Sequence, residues 1–346
     1  MLFIIFADRF FRTLNKAAGT SFTETLAKQF NHPEWFGSTF YDIIMPLFLF
    51  VVGAVIPFSL SKRMQENASK STLYLKLLKR FVLLFILGWI VQGNLLKLDS
   101  EEFRIFSNTL QAIAVGYFFS CISYIHLTKK WRYFVFVSCL ISYALLLSVT
   151  NVPGLGQSEL LPDQNLALYI DRFVFGKFDD GTQYTWLLSG FGFTATTLSG
   201  IFAGELIKSK HPRKKVAMYL MIYGIIGLTI GLIWGIWHPI VKKIWTSSFV
   251  LASSGICYLL LAFFYWVIDV KGKIKWAFPL KVIGSNAITA YVLSHVFNFP
   301  KIANYLLFGL EKYLGAYYEV INTIGGFGLL YLLLWYMHKN NTFIKI

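Results

Sequence analysis

The sequence predicts an all-α fold, a polytopic membrane helix bundle with about nine full spans plus a truncated first span. The chain is 56% hydrophobic and only 14% charged, whereas soluble domains contain roughly 25% charged residues. Its mean hydropathy is +0.58, and its apolar runs reach the about 20 residues needed to cross a ~30 Å hydrocarbon core. We see no internal repeat, so we expect a single transmembrane domain over residues 1–346.

The apolar runs predict nine spans, at 39–60, 81–97, 108–127, 133–150, 187–207, 216–236, 247–268, 280–297 and 319–337. The segment 1–7 is too short to span and lacks the features of a signal peptide. We therefore expect Met1 to be an internal methionine, with the first half of a membrane helix missing from this numbering. The region 8–38 is expected to be a loop with interfacial helical pieces, and 302–310 to be interfacial or re-entrant.

The distribution of Lys and Arg predicts the orientation. The loops 61–80, 128–132, 208–215, 269–279 and the tail 338–346 hold 19 cations in 53 residues. The opposite set, 8–38, 98–107, 151–186, 237–246 and 298–318, holds 11 in 108 residues. The first set is therefore predicted to be cytoplasmic, which puts the long loop 151–186 on the outer side.

The net charge of +15 does not indicate nucleic acid, because the cations lie between apolar runs, as membrane topology requires. The three cysteines lie inside apolar runs and are interpreted as small buried hydrophobes. The six histidines are scattered, so no metal is predicted. The expected partners are membrane lipid and a small-molecule or glycan substrate, and the sequence leaves a homodimer open.

One stretch, residues 30–63, joins a polar loop to the first full span. Asn31, His32 and Glu34 lie just before the span, and Asp42 lies at its mouth. Histidine titrates near neutral pH and suits a general base or a nucleophile. We interpret His32 as the catalytic group, Asn31 as a donor to an oxyanion, and Glu34 or Asp42 as the carboxylate that fixes the tautomer. The alternatives are an ordinary interfacial histidine and an aspartate that caps the helix with Thr39.

Several other polar or aromatic residues are candidates for a substrate or cofactor cavity: Trp35, Arg104, Gln111, Trp245, Ser248, Asn286 and His295. Each has an ordinary structural alternative. The tryptophans fit an aromatic belt, the polar groups inside spans fit interhelical hydrogen bonds, and Arg104 fits a pair with Glu101 or Glu102. Gly200 and Gly204 indicate close helix packing. The basic run 208–215 could bind phosphates, although such runs mostly set topology.

An ordered set of motifs resembles the heparan-α-glucosaminide N-acetyltransferase family and its bacterial relatives of unassigned function. The first block is Asn31-His32-x-x-Trp35-x-Gly37, leading to Asp42-x-x-x-Pro46-x-Phe48-x-Phe50-x-x-Gly53. Later blocks are Arg104-Ile105 before Leu110-Gln111-x-x-x-x-Gly116-Tyr117, then Trp245-Thr246-Ser247-Ser248 before Asp269-Val270-Lys271-Gly272, and Gly284-x-Asn286-x-x-x-x-Tyr291 with His295. The family's opening Arg-Gly pair is absent, and its large luminal loops are reduced.

The resemblance implies a single transmembrane acyltransferase-like domain in which His32 matches the family's catalytic histidine. It implies acetyl transfer from cytoplasmic acetyl-CoA, as co-substrate and without a metal, to an amino sugar or glycan on the outer face. The reduced loops make a heparan-sized acceptor doubtful. We predict a bacterial cytoplasmic (inner) membrane location with His32 on the periplasmic side. The rival interpretation is an amino-sugar or N-acetylglucosamine transporter, and a third is a scaffold without chemistry.

Overall fold

The computed structural model describes residues 1–65, 70–93, 95, 98–99 and 101–344. Within these residues, helices account for almost all regular structure, so the all-α prediction is confirmed. Among the described residues the strands are two short ones, β1 (Asn151–Val152) and β2 (Gly156–Gln157). They pair antiparallel, with Asn151 opposite Gln157 and Val152 opposite Gly156.

Backbone contacts group the chain into two compact units, which we describe separately. The first unit comprises Met1–His32, Thr39–Ile44 and Lys273–Ile346, and the second comprises Pro33–Ser38 and Met45–Gly272. The prediction of a single domain over 1–346 stays a prediction.

The first unit begins with a π-helical turn, Phe3–Ala7, that continues into α1 (Asp8–Ala18), followed by α2 (Ser21–Gln29) and the 3₁₀ turn Phe40–Ile43. Its remaining helices are α11 (Phe278–Ser285), α12 (Ala287–Val296), α13 (Phe299–Leu307), α14 (Glu311–Leu314) and α15 (Tyr318–Lys339). Short 3₁₀ turns cover Lys275–Ala277, Phe308–Leu310 and Gly315–Tyr317. The core of this unit forms where α11, α12 and α15 bury Val282, Ile283, Ala290, Leu330 and Leu334.

The second unit contains the longer helices α4 (Lys70–Gln92), α5 (Thr109–His126) and α6 (Lys129–Val149). It also contains α3 (Ile44–Gln65) except for the first residue of that helix, Ile44. They are followed by α7 (Leu166–Phe175), α8 (Gly190–Lys208), α9 (Arg213–Trp234) and α10 (Ser247–Tyr265). A 3₁₀ turn, Gly176–Phe178, follows α7, and a π-helical turn, Trp266–Val270, extends α10. One core cluster lies where α3, α4, α5 and α8 meet.

Five helical stretches among the described residues are long and apolar enough to cross a membrane. They are Phe40–Ser61, Lys129–Val149, Arg213–Trp234, Ser247–Val270 and Phe299–Lys339. The chain is an integral membrane protein, while the count of nine spans plus a truncated one stays a prediction. Most predicted spans match a helix to within a few residues. The span 81–97 differs, because α4 covers Lys70–Gln92 and so begins in basic sequence before the apolar run. Residues 94, 96 and 97 of this span lie outside the described residues.

The predicted span 280–297 is two helices, α11 and α12, separated at Asn286. The Asn286 backbone has φ −126° and ψ 44°, outside the helical region. Its side chain binds the C-terminal segment instead: Nδ2 donates to the Thr342 carbonyl at 3.1 Å, and Oδ1 accepts from the Ile344 amide at 3.1 Å. Hydropathy cannot detect this break, because its cause lies more than 50 residues away in the chain.

The N-terminal region is more helical than the loop that we predicted for 8–38. Phe6 packs on Phe327 with ring centroids 4.5 Å apart, and the Lys16 ammonium lies 3.4 Å from the Glu319 carboxylate. The helix through α1 therefore runs antiparallel along nearly the first half of α15.

The predicted close packing at Gly200 and Gly204 is present in the second unit. A Cβ atom at Gly200 would collide with the Phe50 carbonyl, and one at Gly204 with the Ala54 carbonyl. Both glycines lie on α8 and both carbonyls on α3, so the two helices cross with their backbones in direct contact.

Candidate active site

His32 and Asp42 form a close pair in the first unit. The Nδ1 atom of His32 lies 2.6 Å from Oδ1 of Asp42. The Asp42 side chain is completely buried, whereas the imidazole retains 37% of its accessible surface. Of the two carboxylates that the sequence offered, Asp42 is the one in contact with the ring. The arrangement buries the anion and leaves the imidazole accessible.

The chain places Asp42 by a capping interaction at the start of the first full span. The Thr39 backbone N–H and hydroxyl donate to Oδ2 of Asp42 at 2.8 and 3.2 Å. Oδ2 therefore caps the helix start while Oδ1 contacts the histidine, and the catalytic role of Asp42 stays a prediction. The same Thr39 hydroxyl lies 2.8 Å from the Asn31 carbonyl oxygen. Thr39 thus links the segment that carries His32 to the segment that carries Asp42.

This geometry fixes which ring nitrogen can react. An ionised carboxylate can only accept a hydrogen bond, so Nδ1 of His32 carries the proton and donates to Asp42. The lone pair is then on Nε2, the nitrogen on the far side of the ring. A histidine held in this way by a carboxylate is equipped to remove a proton or to attack a carbonyl carbon.

Aromatic rings support the pair. The Tyr41 ring lies 5.0 Å from the His32 ring, and Phe30 lies 6.2 Å from Tyr41. Phe30 in turn stacks on Phe11 at 4.7 Å and contacts Phe40 at 5.9 Å. Rings packed at such distances hold the backbone that carries His32 and Asp42 in a defined position.

Asp8 and Tyr41 belong near this site, and our sequence reasoning did not select them. Asp8 interacts electrostatically with Tyr41 and forms an ion pair with Arg12, one helical turn further on. Its Oδ1 atom is buried without a hydrogen-bond partner among the described residues. A carboxylate that follows an apolar heptapeptide is a signal that could have identified Asp8 from the sequence.

The two other candidates of the first unit lie at opposite ends of helix α12, with Asn286 just before it and His295 in its last turn. Asn286 is 1% exposed and binds the C-terminal segment as described. Nδ1 of His295 lies 2.8 Å from the Tyr291 carbonyl oxygen, which again leaves the lone pair on Nε2. His295 lines a cavity of about 330 Å³ together with Arg9, Ser294, Asn298 and Thr323. Of the two, only His295 lines this cavity.

Trp35 is a buried anchor of the second unit. Only 7% of it is exposed, and it belongs to a core cluster with Tyr143, Leu147 and Val241. Its indole N–H donates to the Leu160 carbonyl at 2.7 Å. This environment is that of a packed core and not of an interfacial aromatic belt, and a role for Trp35 in a substrate cavity stays a prediction.

Arg104 and Gln111 both bind backbone carbonyls in the second unit. Arg104 donates to the carbonyl oxygens of Glu101 at 3.0 Å and Lys177 at 2.9 Å. We had expected a contact with the Glu101 or Glu102 carboxylate, and the observed contact to Glu101 is with its main chain. The Gln111 side chain is fully buried, donates to Ile105 and accepts from the Ser107 amide. Both residues brace the segment that precedes α5.

Trp245 and Ser248 pack at the start of α10. Trp245 is 2% exposed, has a left-handed backbone with φ +50°, and its indole N–H donates to the Thr196 hydroxyl at 3.3 Å. The Ser248 hydroxyl donates to the Pro239 carbonyl at 3.2 Å. These contacts hold a turn, and a role for either residue in a substrate cavity stays a prediction.

The basic run 208–215 also makes structural contacts. Lys208 donates to the Pro57 carbonyl at 3.2 Å and contacts the Ser61 hydroxyl. Arg213 donates to the Asp269 carbonyl at 3.1 Å. Within the described part of the chain, no three His, Cys, Asp or Glu side chains are grouped so that they could hold a metal ion.

The resemblance to the acetyltransferase family is supported by two kinds of comparison. Residues 22–133, which contain the His32–Asp42 pair, match the family model described as "Domain of unknown function (DUF5009)". Over a longer range, the chain is similar to curated proteins named heparan-alpha-glucosaminide N-acetyltransferase.

The human protein of that name (Homo sapiens) is 26% identical over 333 residues, which is 78% of this chain and 49% of the relative. The mouse protein (Mus musculus) is 26% identical over 326 residues, which is 76% of this chain and 48% of the relative. The predicted resemblance is therefore confirmed. The chain spans about half the length of the curated relatives it matches.

Proposed function

We propose that this protein is a membrane acyltransferase that moves an acetyl group from cytoplasmic acetyl-CoA to an amino sugar or glycan on the outer face. The observation that carries the proposal is the His32–Asp42 pair, in which a buried carboxylate orients an accessible imidazole. The named activity of the curated relatives supports the same reaction class. The proposed location is the bacterial cytoplasmic (inner) membrane, with His32 on the periplasmic side.

Acetyl transfer requires a group that accepts the proton lost by the acceptor amine. The acceptor amine attacks the thioester carbonyl, the C–S bond breaks, and CoA leaves as the thiolate. With its lone pair on Nε2, His32 would take the proton that the amine loses on forming the amide. Alternatively, Nε2 would attack the thioester first and pass the acetyl group to the amine. In both routes Asp42 stabilises the positive charge that develops on the ring.

Asn31 is the proposed donor to the oxyanion that forms on the acetyl carbonyl. Its backbone carbonyl accepts from Thr39, which fixes the residue next to His32. His295 and Asn286 are proposed for the acceptor region, with His295 supported by the cavity that it lines.

Acetyl transfer can be measured with purified protein in detergent, using labelled acetyl-CoA and a panel of amino sugars. We expect an acetylated product with the wild type and its loss with His32→Ala. His211→Ala, which changes a histidine of the basic run, is the matched control and should retain activity. Equal product from wild type and His32→Ala would reject His32 as the catalytic group.

A transporter for amino sugars is the second candidate, and one observation favours it. The interruption between α11 and α12 at Asn286 is a discontinuous helix, a feature on which many carriers build their substrate sites. Sugar uptake into liposomes without acetyl-CoA, unaffected by His32→Ala and lost with Asn286→Ala, would favour the carrier over the enzyme.

A further inference from the structure

The exposed face of α1 consists of cations alone. Within this helix, all of which is described, the exposed side chains are Arg9, Arg12 and Lys16. Positions separated by three and four residues lie on one face of an α-helix. The opposite face holds Phe11, which stacks on Phe30, and Ala7 just before the helix is buried. Packing on that side fixes the cationic face outward.

These cations lie beside a membrane helix. Phe6 contacts Phe327, and Lys16 approaches Glu319 at the start of α15. Arg9 and Arg12 lie between these two contacts, alongside the first half of a helix that is apolar enough to span. Charged groups beside a membrane-spanning helix are costly unless they face water, a counter-ion or a ligand.

Helix α1 carries three cations and one carboxylate, that of Asp8. Arg12 pairs with Asp8, whereas Arg9 forms no ion pair with any residue that the structure describes. The contact between Lys16 and Glu319 joins two side chains that are 75% and 57% exposed, so it contributes little. A depression of about 430 Å³ is lined by Asp8, Arg9, Arg12, Thr13 and Lys16, each of them polar.

Arg9 connects this depression to the cavity of His295. The guanidinium residue lines both the 430 Å³ depression and the 330 Å³ cavity that contains Ser294 and Asn298. The two spaces are therefore adjacent at Arg9. The depression is lined by three cations, whereas the cavity is lined mainly by neutral hydrogen-bonding groups and apolar side chains.

We propose that Arg9, Arg12 and Lys16 form a binding site for a phosphate-type oxyanion. Guanidinium groups present paired N–H donors that match phosphate oxygens, and a row of three cations suits a group with more than one negative charge. Two sources supply this chemistry: a phosphate group on a soluble ligand that enters from the aqueous side, and the headgroup of an anionic phospholipid.

Binding can be measured without acetyl transfer, so this proposal and the proposed enzymatic function can fail separately. Full-length protein in phosphatidylcholine nanodiscs is titrated with radiolabelled inorganic phosphate. In parallel, protein from nanodiscs that contain phosphatidylglycerol is examined by native mass spectrometry for retained lipid. Saturable phosphate binding indicates the soluble source, and a retained phosphatidylglycerol adduct indicates the lipid source.

We expect Arg9→Gln/Lys16→Gln to weaken whichever binding is observed at least tenfold. This pair of changes leaves the Arg12–Asp8 contact intact, so the variant should melt at the wild-type temperature. Lys28→Gln, which removes an exposed cation paired with Glu24 on α2, is the control and should change binding less than twofold. Absence of both kinds of binding in the wild type, or equal binding in the Arg9/Lys16 variant, would overturn the proposal.

Discussion

Two buried aspartates, one in each unit, accept hydrogen bonds from the backbone in different ways. Asp42 accepts from Thr39 with Oδ2 and contacts His32 with Oδ1. Asp171 of α7 is also completely buried, but its oxygens accept from the backbone amides of Trp186 at 2.5 Å and Leu187 at 3.1 Å. One oxygen of Asp42 thus contacts the imidazole of His32, whereas both oxygens of Asp171 accept hydrogen bonds from backbone amides.

The environments of the two aspartates explain the difference in their roles. Burial raises the pKa of Asp171, the two amides lower it and the nearby Asp179 and Asp180 raise it, so that the pKa lies at about 7. Among the described residues, no cation contributes to this pKa, so the contacts that hold Asp171 are its two backbone hydrogen bonds. Asp42 can instead share charge with an imidazole. We conclude that a cap becomes part of a candidate active site when one of its oxygens faces an accessible base.

The largest expected effect is that of Asp42→Asn on catalysis. The amide can still accept from Thr39, but the group facing His32 then becomes an N–H donor, which demands the opposite tautomer of the ring. Acetyl transfer should fall about 10⁴-fold, as for the carboxylate-to-amide change beside the catalytic histidine of a Ser-His-Asp triad. The measurement is the turnover of labelled acetyl-CoA, together with its pH profile.

Thr39→Ala is the control for that variant. It removes the hydroxyl from the cap but leaves the backbone donor, at a cost of about 1 kcal/mol in stability. If Asp42→Asn lowered activity no more than Thr39→Ala, Asp42 would be a capping residue only.

The second prediction concerns stability rather than catalysis. Asp171→Ala leaves the amides of Trp186 and Leu187 without an acceptor, and each unpaired buried donor costs about 1–3 kcal/mol. We expect a lower melting temperature in detergent, with specific activity preserved in the protein that stays folded. Asp163→Asn, which removes the charge of an exposed partner of Arg172 and keeps a residue that tolerates the left-handed backbone there (φ 60°), is the control and should melt close to the wild type. Loss of activity without loss of stability would mean that Asp171 is not purely structural.

The smallest effect is on the pH dependence of stability. The pKa of Asp171 is raised in the folded state to about 7, from an ordinary value of 3.8. The folded protein therefore binds more protons than the unfolded chain between these values, so this group's contribution to stability falls as pH rises from about 4 to 7. Asp171→Asn should remove the share of the fall in stability between about pH 4 and 7 that the Asp171 carboxyl causes, which is measured as the melting temperature against pH.

The pKa of Asp163 is shifted in the opposite direction, so its contribution to stability depends on pH with the opposite sign. Its pKa is lowered by the hydrogen bond from Arg172, so its contribution is lost only as pH falls below the usual carboxylate range. Asp163→Asn should leave the melting profile between pH 5 and 8 unchanged. A wild-type profile and an Asp171→Asn profile that run parallel over this range would contradict the assignment.

The sequence could predict the helical class and the proximity of His32 to a carboxylate. Hydropathy runs depend on local composition, and His32 and Asp42 are separated by only ten residues. It could not predict that Trp35, in the same motif, is buried against a cluster that includes Val241. Nor could it predict that Arg104 binds the carbonyl of Lys177. Those contacts join distant parts of the chain, and no periodicity records them.

The break at Asn286 has a practical consequence for anyone who modifies this protein. The Asn286 side-chain amide hydrogen-bonds to the backbone of both Thr342 and Ile344, so the last described residues fix the chain at the break between α11 and α12. Trimming the chain before Thr342, or joining a rigid fusion partner there, would release both hydrogen bonds together. Affinity tags are better attached through a flexible spacer that leaves these two residues undisturbed.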